Sequence, residues 1–117
     1  MPEVFQKSLC SGATTTGAKT AVDMRNVTNW SVYVSATGGT SAAFQIEVTA
    51  DPTGGGGWGA AAMRTQGSGA YATTAVTVNA GSNTSRFFEP QDNVAWARIN
   101  LTAVTGSTVN ATVMGEL

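Results

Sequence analysis

The sequence predicts an all-β protein, an antiparallel β-sandwich or jelly roll of about eight strands. Three observations predict it. Apolar and polar residues alternate in short runs, the period-two signature of half-buried strands. Glycine-rich turn signals such as Thr37-Gly38-Gly39-Thr40 and Gly67-Ser68-Gly69 separate those runs. No stretch carries a helical period of apolar residues. At 117 residues the chain is sized for one domain.

The first 19 residues read as an N-terminal arm or an edge strand, and residues 20–117 as the sandwich domain. Ser11-Gly12-Ala13-Thr14-Thr15-Thr16-Gly17-Ala18 has no bulky anchor, which favours an arm. Val4, Phe5 and Leu9 are apolar and closely spaced, which a solvated tail does not require. They fit either a contact with a partner or a first strand over Glu3–Leu9.

Thr20–Met24 is a short strand candidate. Trp30-Ser31-Val32-Tyr33-Val34-Ser35-Ala36 alternates cleanly, with Trp30, Val32, Val34 and Ala36 on the core face and Ser31, Tyr33 and Ser35 outside. Phe44, Ile46 and Val48 share one face of the next run, opposite Gln45, Glu47 and Thr49. With the Gly38-Gly39 turn between them, these two runs predict a hairpin. Asp51–Gly59 is a glycine-rich loop ending on Trp58. Ala60–Gln66 fits a strand or a short helix, because alanines do not decide between them. Tyr71–Val78 and Arg86–Pro90 complete the series before the last two runs.

Val94–Ala103 is the clearest strand. Ala95, Ala97, Ile99, Leu101 and Ala103 fall on one face, and Trp96, Arg98, Asn100 and Thr102 on the other. Val109–Val113 alternates in the same way after a turn at Gly106. Pairing the two as a hairpin sets Ala103 by Val109, Leu101 by Ala111 and Ile99 by Val113, since a slip of one residue would invert every side chain. That register gathers Trp96, Arg98 and Met114 on one outer face.

Composition excludes several classes. Charged residues are 11% of the chain, against about 25% in ordinary globular domains. Ser, Thr, Asn and Gly take their place, and a surface of that kind suits faces covered by neighbours. Net charge is −1 and the six basic residues are scattered, which argues against nucleic acid. There is no long apolar run to cross a membrane and no signal-peptide pattern. Asn-x-Ser/Thr triplets occur at Asn26, Asn29, Asn83, Asn100 and Asn110, but the last two lie inside predicted strands. Chance in an Asn- and Thr-rich chain accounts for them.

The sequence offers little chemistry. It has no histidine, and Cys10 is the single cysteine, so no internal disulfide forms and no base is at hand to activate the thiol. No serine sits in a nucleophile elbow. Gly54–Gly57 lacks the Gly-Lys-Ser/Thr that a phosphate loop needs. Asp51, Glu89, Asp92 and Asn93 are oxygen donors, but not at the spacing of a calcium loop. Solvated turn carboxylates account for them better than a metal or a glycosidase pair. The expectation is a protein without catalysis or cofactor. The candidate interaction residues are Val4, Phe5, Leu9, Tyr33, Trp58, Trp96 and Arg98. A sugar-stacking platform of Trp30, Trp58, Trp96, Tyr33 and Tyr71 is the alternative to packing roles for the aromatics.

Asn29-Trp30-Ser31-Val32-Tyr33-Val34, then Phe44–Val48 with Asp51 and Trp58, then Val94–Thr102 with a closing Gly-Ser-Thr turn resemble small virion proteins of tailed bacteriophages. Capsid decoration, or cement, proteins are similar in size and style, and the resemblance covers residues 20–117. It implies a β-sandwich without catalysis that binds the major capsid protein of a phage head as a homo-oligomer, a trimer by analogy. Location in the virion, after assembly in the host cytoplasm, follows from it. A carbohydrate-binding or tail-fibre-type module is the alternative.

Overall fold

The computed structural model describes residues 3–65, 70–73, 76–79, 85–90 and 94–117. Among them are eleven strands and no helix: β1 (Val4–Ala13), β2 (Gly17–Ala18), β3 (Val22–Asp23), β4 (Thr28–Thr37), β5 (Ser41–Thr49), β6 (Gly59–Ala60), β7 (Met63–Thr65), β8 (Val76–Asn79), β9 (Ser85–Pro90), β10 (Trp96–Thr105) and β11 (Thr108–Glu116). They form two antiparallel sheets, as the all-β expectation requires. The first runs β1-β11-β4-β9-β7. The second runs β2-β10-β5-β6, with β3 also pairing β10 and β8 pairing β5.

The two predicted hairpins are not hairpins. β4 lies in the first sheet and β5 in the second, and β10 and β11 are divided in the same way. Each pair is an arch that crosses from one sheet to the other. The arches stack, so β4 lies along β11 from Thr37↔Thr108 to Thr28↔Glu116. β5 lies along β10 from Ser41↔Thr105 to Thr49↔Trp96, with Ile46 opposite Ile99. The expected pairs Ala103–Val109, Leu101–Ala111 and Ile99–Val113 are therefore replaced. Gly38, Gly39 and Gly106 turn the two corners with φ of +70°, +63° and +69°, a region only glycine enters without strain. Ser107 is buried in the corner, where its hydroxyl donates to the carbonyls of Gly38 at 2.9 Å and Ser41 at 3.2 Å.

The faces follow the alternation. Trp30, Val32, Val34 and Ala36 of β4, with Val109, Ala111 and Val113 of β11, are buried from one side. Ala42, Phe44 and Ile46 of β5 and Ala97, Ile99 and Leu101 of β10 meet them from the other. Leu9, Met24, Val27 and Met63 close the core. Ala103 departs from its expected place: a bulge between Leu101 and Ala103 shifts the pairing with β5, reverses the alternation and leaves Ala103 exposed. Met114 lies on the first sheet, opposite Ser31 and Gln6, and is not grouped with Trp96 and Arg98 on the second.

Residues 4–13 form the outermost strand of the first sheet, paired with β11 from Val4↔Glu116 to Ala13↔Val109. Of the ambiguous run Ala60–Gln66, Ala60 ends β6 in one sheet and Met63–Thr65 form β7 in the other, while residue 66 lies outside the described residues. In the predicted strand Tyr71–Val78, Ala72 bridges Met63 and Val76 begins β8, while residues 74–75 lie outside the described residues.

Candidate functional site

The outer face of the second sheet gathers the side chains with most chemical character. Strand pairing sets them in rows, with Trp96 across from Thr49, Arg98 from Glu47 and Asn100 from Gln45. The Arg98 Nε donates to Glu47 Oε1 at 2.7 Å, and the Asn100 amide donates to Glu47 Oε2 at 3.3 Å. The guanidinium of Arg98 also lies over the Trp58 ring, 4.2 Å from its centre. That distance suits a cation–π contact, and the half-buried setting strengthens it over one in open water. Trp58, Arg98, Glu47 and Asn100 thus form one connected cluster from a loop and two strands.

A second unit adjoins it. The Trp96 indole N–H donates to the Pro52 carbonyl at 2.9 Å. Gly54 rests on the indole so closely that a Cβ there would meet Trp96 Cδ2 at 2.9 Å. Glycine is needed at that point twice over, because its φ is +69°. Arg25 lies 5.7 Å from the centre of the same ring and pairs with Asp23 at 2.6 Å. Hydrogen bonds from the Arg25 side chain, and then from its backbone N–H, hold the exposed Asp23 carboxyl at about 2.

The glycine loop is ordered by its own polar contacts. The Thr49 hydroxyl donates to the Gly56 carbonyl at 2.6 Å, and the Asp51 N–H donates to the Thr49 hydroxyl at 3.0 Å. Asp51 Oδ1 accepts from the Thr53 N–H and hydroxyl at 2.9 and 2.8 Å. The Thr53 backbone contact is the first cause that holds Asp51 below the usual carboxylate range. Asp51 is thus committed to its own turn. Asp92 and Asn93, and the side chain of Glu89, lie outside the described residues. Among the described residues, no three His, Cys, Asp or Glu side chains come together as a metal group would require.

The sequence-predicted interaction residues separate into three places. Trp58, Trp96 and Arg98 share the outer face just described. Tyr33 is half-buried on the outer face of the first sheet, across from Thr112. Val4, Phe5 and Leu9 lie on β1: Val4 is 78% exposed, Phe5 is half-buried and Leu9 is in the core at 2%. Trp30 is a core residue, and Tyr71 is exposed with Arg64 stacked 5.1 Å from its centre. The five aromatics therefore form no common platform. Glu47, Asn100, Arg25 and Asp23 were missed. Glu47 and Arg98 lie on strands that only the arch topology makes neighbours, while the Asp23-x-Arg25 spacing was a local signal that could have been read.

Cys10 is half-buried, its thiol donates to the Val109 carbonyl at 3.6 Å, and burial raises its pKa. That environment disfavours the thiolate, which is the nucleophilic form.

No protein-family model matches the sequence. No curated protein matches it by sequence either. The fold is similar to that of the SPBc2 prophage-derived protein YomS, with a TM-score of 0.74 and 12% identity over 100% of this chain and 96% of that one. It is also similar to the PBSX exported protein XepA, with a TM-score of 0.69 and 10% identity over 99% of this chain. The chain spans only 38% of XepA. At such identities the likeness is one of fold.

Proposed function

We propose that the protein is a non-catalytic structural component of a phage particle, and that it acts as a decoration subunit on the head, as a homo-oligomer held to the major capsid protein. The observation that carries this reading is a fold shared along the whole chain with a prophage-derived protein of nearly the same length, at a TM-score of 0.74. The low charge supports it, because a surface of Ser, Thr and Asn costs little to desolvate against a lattice of neighbours when its polar groups are paired. On the outer face of the second sheet, Glu47, Arg98 and Asn100 are paired with one another, in keeping with such a surface. Location in the virion belongs to the same reading. The test is co-sedimentation of the purified chain with assembled heads.

A second reading rests on the Trp58–Arg98–Glu47–Asn100 cluster. An aromatic ring beside a guanidinium, a carboxylate and an amide has the mixed character that saccharides require. A tail-fibre-type or carbohydrate-binding module would use it, and binding to host polysaccharide tests that reading.

A further inference from the structure

β1 ends the first sheet, so one side of its backbone has no strand beside it among the described residues. The phase of the β1–β11 ladder tells which groups point outward. Leu117 N–H donates to the Glu3 carbonyl at 3.0 Å, and the register keeps Phe5 opposite Gly115 and Lys7 opposite Val113. In an antiparallel ladder, hydrogen-bonded and non-bonded pairs alternate. Glu3, Phe5 and Lys7 therefore bond to the terminal strand, while the N–H and C=O of Val4, Gln6 and Ser8 point away from it.

The two halves of this edge differ. Beyond Ser8 the strand is bulged twice, between Ser8 and Cys10 and again before Ala13, and Gly12 has a φ of +65°. Bulges of this kind blunt an edge against pairing. From Val4 to Ser8 the ladder is regular, and Val4 is 78% exposed. The only charge in that stretch is Lys7.

We propose that this open half pairs with the same half of a second copy, antiparallel about a two-fold axis through Gln6. In that register Val4 lies across from Ser8 of the other copy and Gln6 across from itself, which supplies about six backbone hydrogen bonds. Lys7 lies across from Phe5 and not from a second Lys7. Moving the axis to Lys7 would set two ammonium groups directly opposite, which is unfavourable. The contact is isologous and closed, so it builds a dimer with a continuous sheet running through both copies. The dimer takes the place of the trimer implied by resemblance. This inference rests on the homo-oligomer in the functional reading, and names the surface and the register.

Proline substitution tests it on the full chain. Gln6→Pro removes an N–H that points outward, and proline is tolerated on the free side of an edge strand. Lys7→Pro removes an N–H bonded to Val113. Sedimentation of the wild type at high micromolar concentration is expected to show a dimer. Gln6→Pro is expected to be monomeric and to melt below the wild type only by the dimer's concentration-dependent contribution, and Lys7→Pro to lose several degrees more. A monomeric wild type overturns the proposal, and so does a Gln6→Pro variant that still dimerises. Equal loss of melting temperature in both variants also overturns it, because the ladder phase would then be wrong. No phage heads are present in these measurements, so their failure is distinct from a failure to bind capsids.

Discussion

Gly39 and Gly106 pack backbone to backbone where the two arches stack. A Cβ on Gly39 would lie 2.3 Å from the Gly106 carbonyl carbon and 2.4 Å from the Thr105 oxygen. The Thr40 N–H donates to that same Thr105 carbonyl at 2.9 Å. The corner is the point where four long strands change sheets, so its geometry sets the register of β4 on β11 and of β5 on β10.

Gly39→Ala should be strongly destabilising, because the new methyl meets rigid backbone at a residue with positive φ. Overpacking and left-handed strain together predict a loss of about 2–4 kcal/mol. Gly38→Ala carries the strain alone, since its nearest neighbour would be 3.9 Å away, and should cost about 1–2 kcal/mol. Urea denaturation of the two variants measures the difference, and equal losses would show that the corner is looser than described.

Ser107→Ala should cost about 1–3 kcal/mol, the usual range when a buried polar group loses its partner. The side chain is 1% exposed and serves the carbonyls of both Gly38 and Ser41. Ser107→Cys, which keeps a weak donor, should recover part of the loss in the same denaturation experiment.

Leu101→Ala should cost about 2–5 kcal/mol, because the residue is 1% exposed and packs in the core. Asn100→Ala removes one long hydrogen bond to Glu47 on the outer face and should cost under about 1 kcal/mol. Denaturation midpoints that move equally would contradict the face assignment.

Asp23 is held at about 2 by Arg25. The folded value lies below the ordinary aspartate value of about 3.9, so the pairing contributes fully above that pH. Its contribution is lost as pH falls toward about 2. An NMR titration of the Asp23 carboxyl should show its midpoint near 2 in the wild type. In Arg25→Ala the midpoint should rise toward the ordinary value. A midpoint that stays fixed on removal of Arg25 would contradict the assigned cause.

The alternation of Trp30–Ala36, Phe44–Ile46 and Ala97–Leu101 was enough to place each of these residues inside or outside. It was not enough to name the strand beside each one. An arch and a hairpin share the same period-two pattern, because both bury one face of each strand. The difference lies in whether the strands lie side by side or face each other across the core. Here consecutive left-handed residues at Gly38 and Gly39, confirmed only by their φ values, turn the chain between sheets. The bulge at Thr102 was equally hidden, since no residue type marks it. Trp58, Trp96 and Arg98 were visible as candidates on their own. Their links to Glu47, Pro52 and Gly54 depend on strand order, so the clusters were not legible before the fold.

Binding to assembled phage heads tests the functional account most directly. Purified chain mixed with heads and pelleted should co-sediment with saturation at a fixed number of copies per head, and should remain in the supernatant with host polysaccharide. A chain that stays in solution with heads and pellets with polysaccharide would contradict the account and favour the saccharide-binding reading.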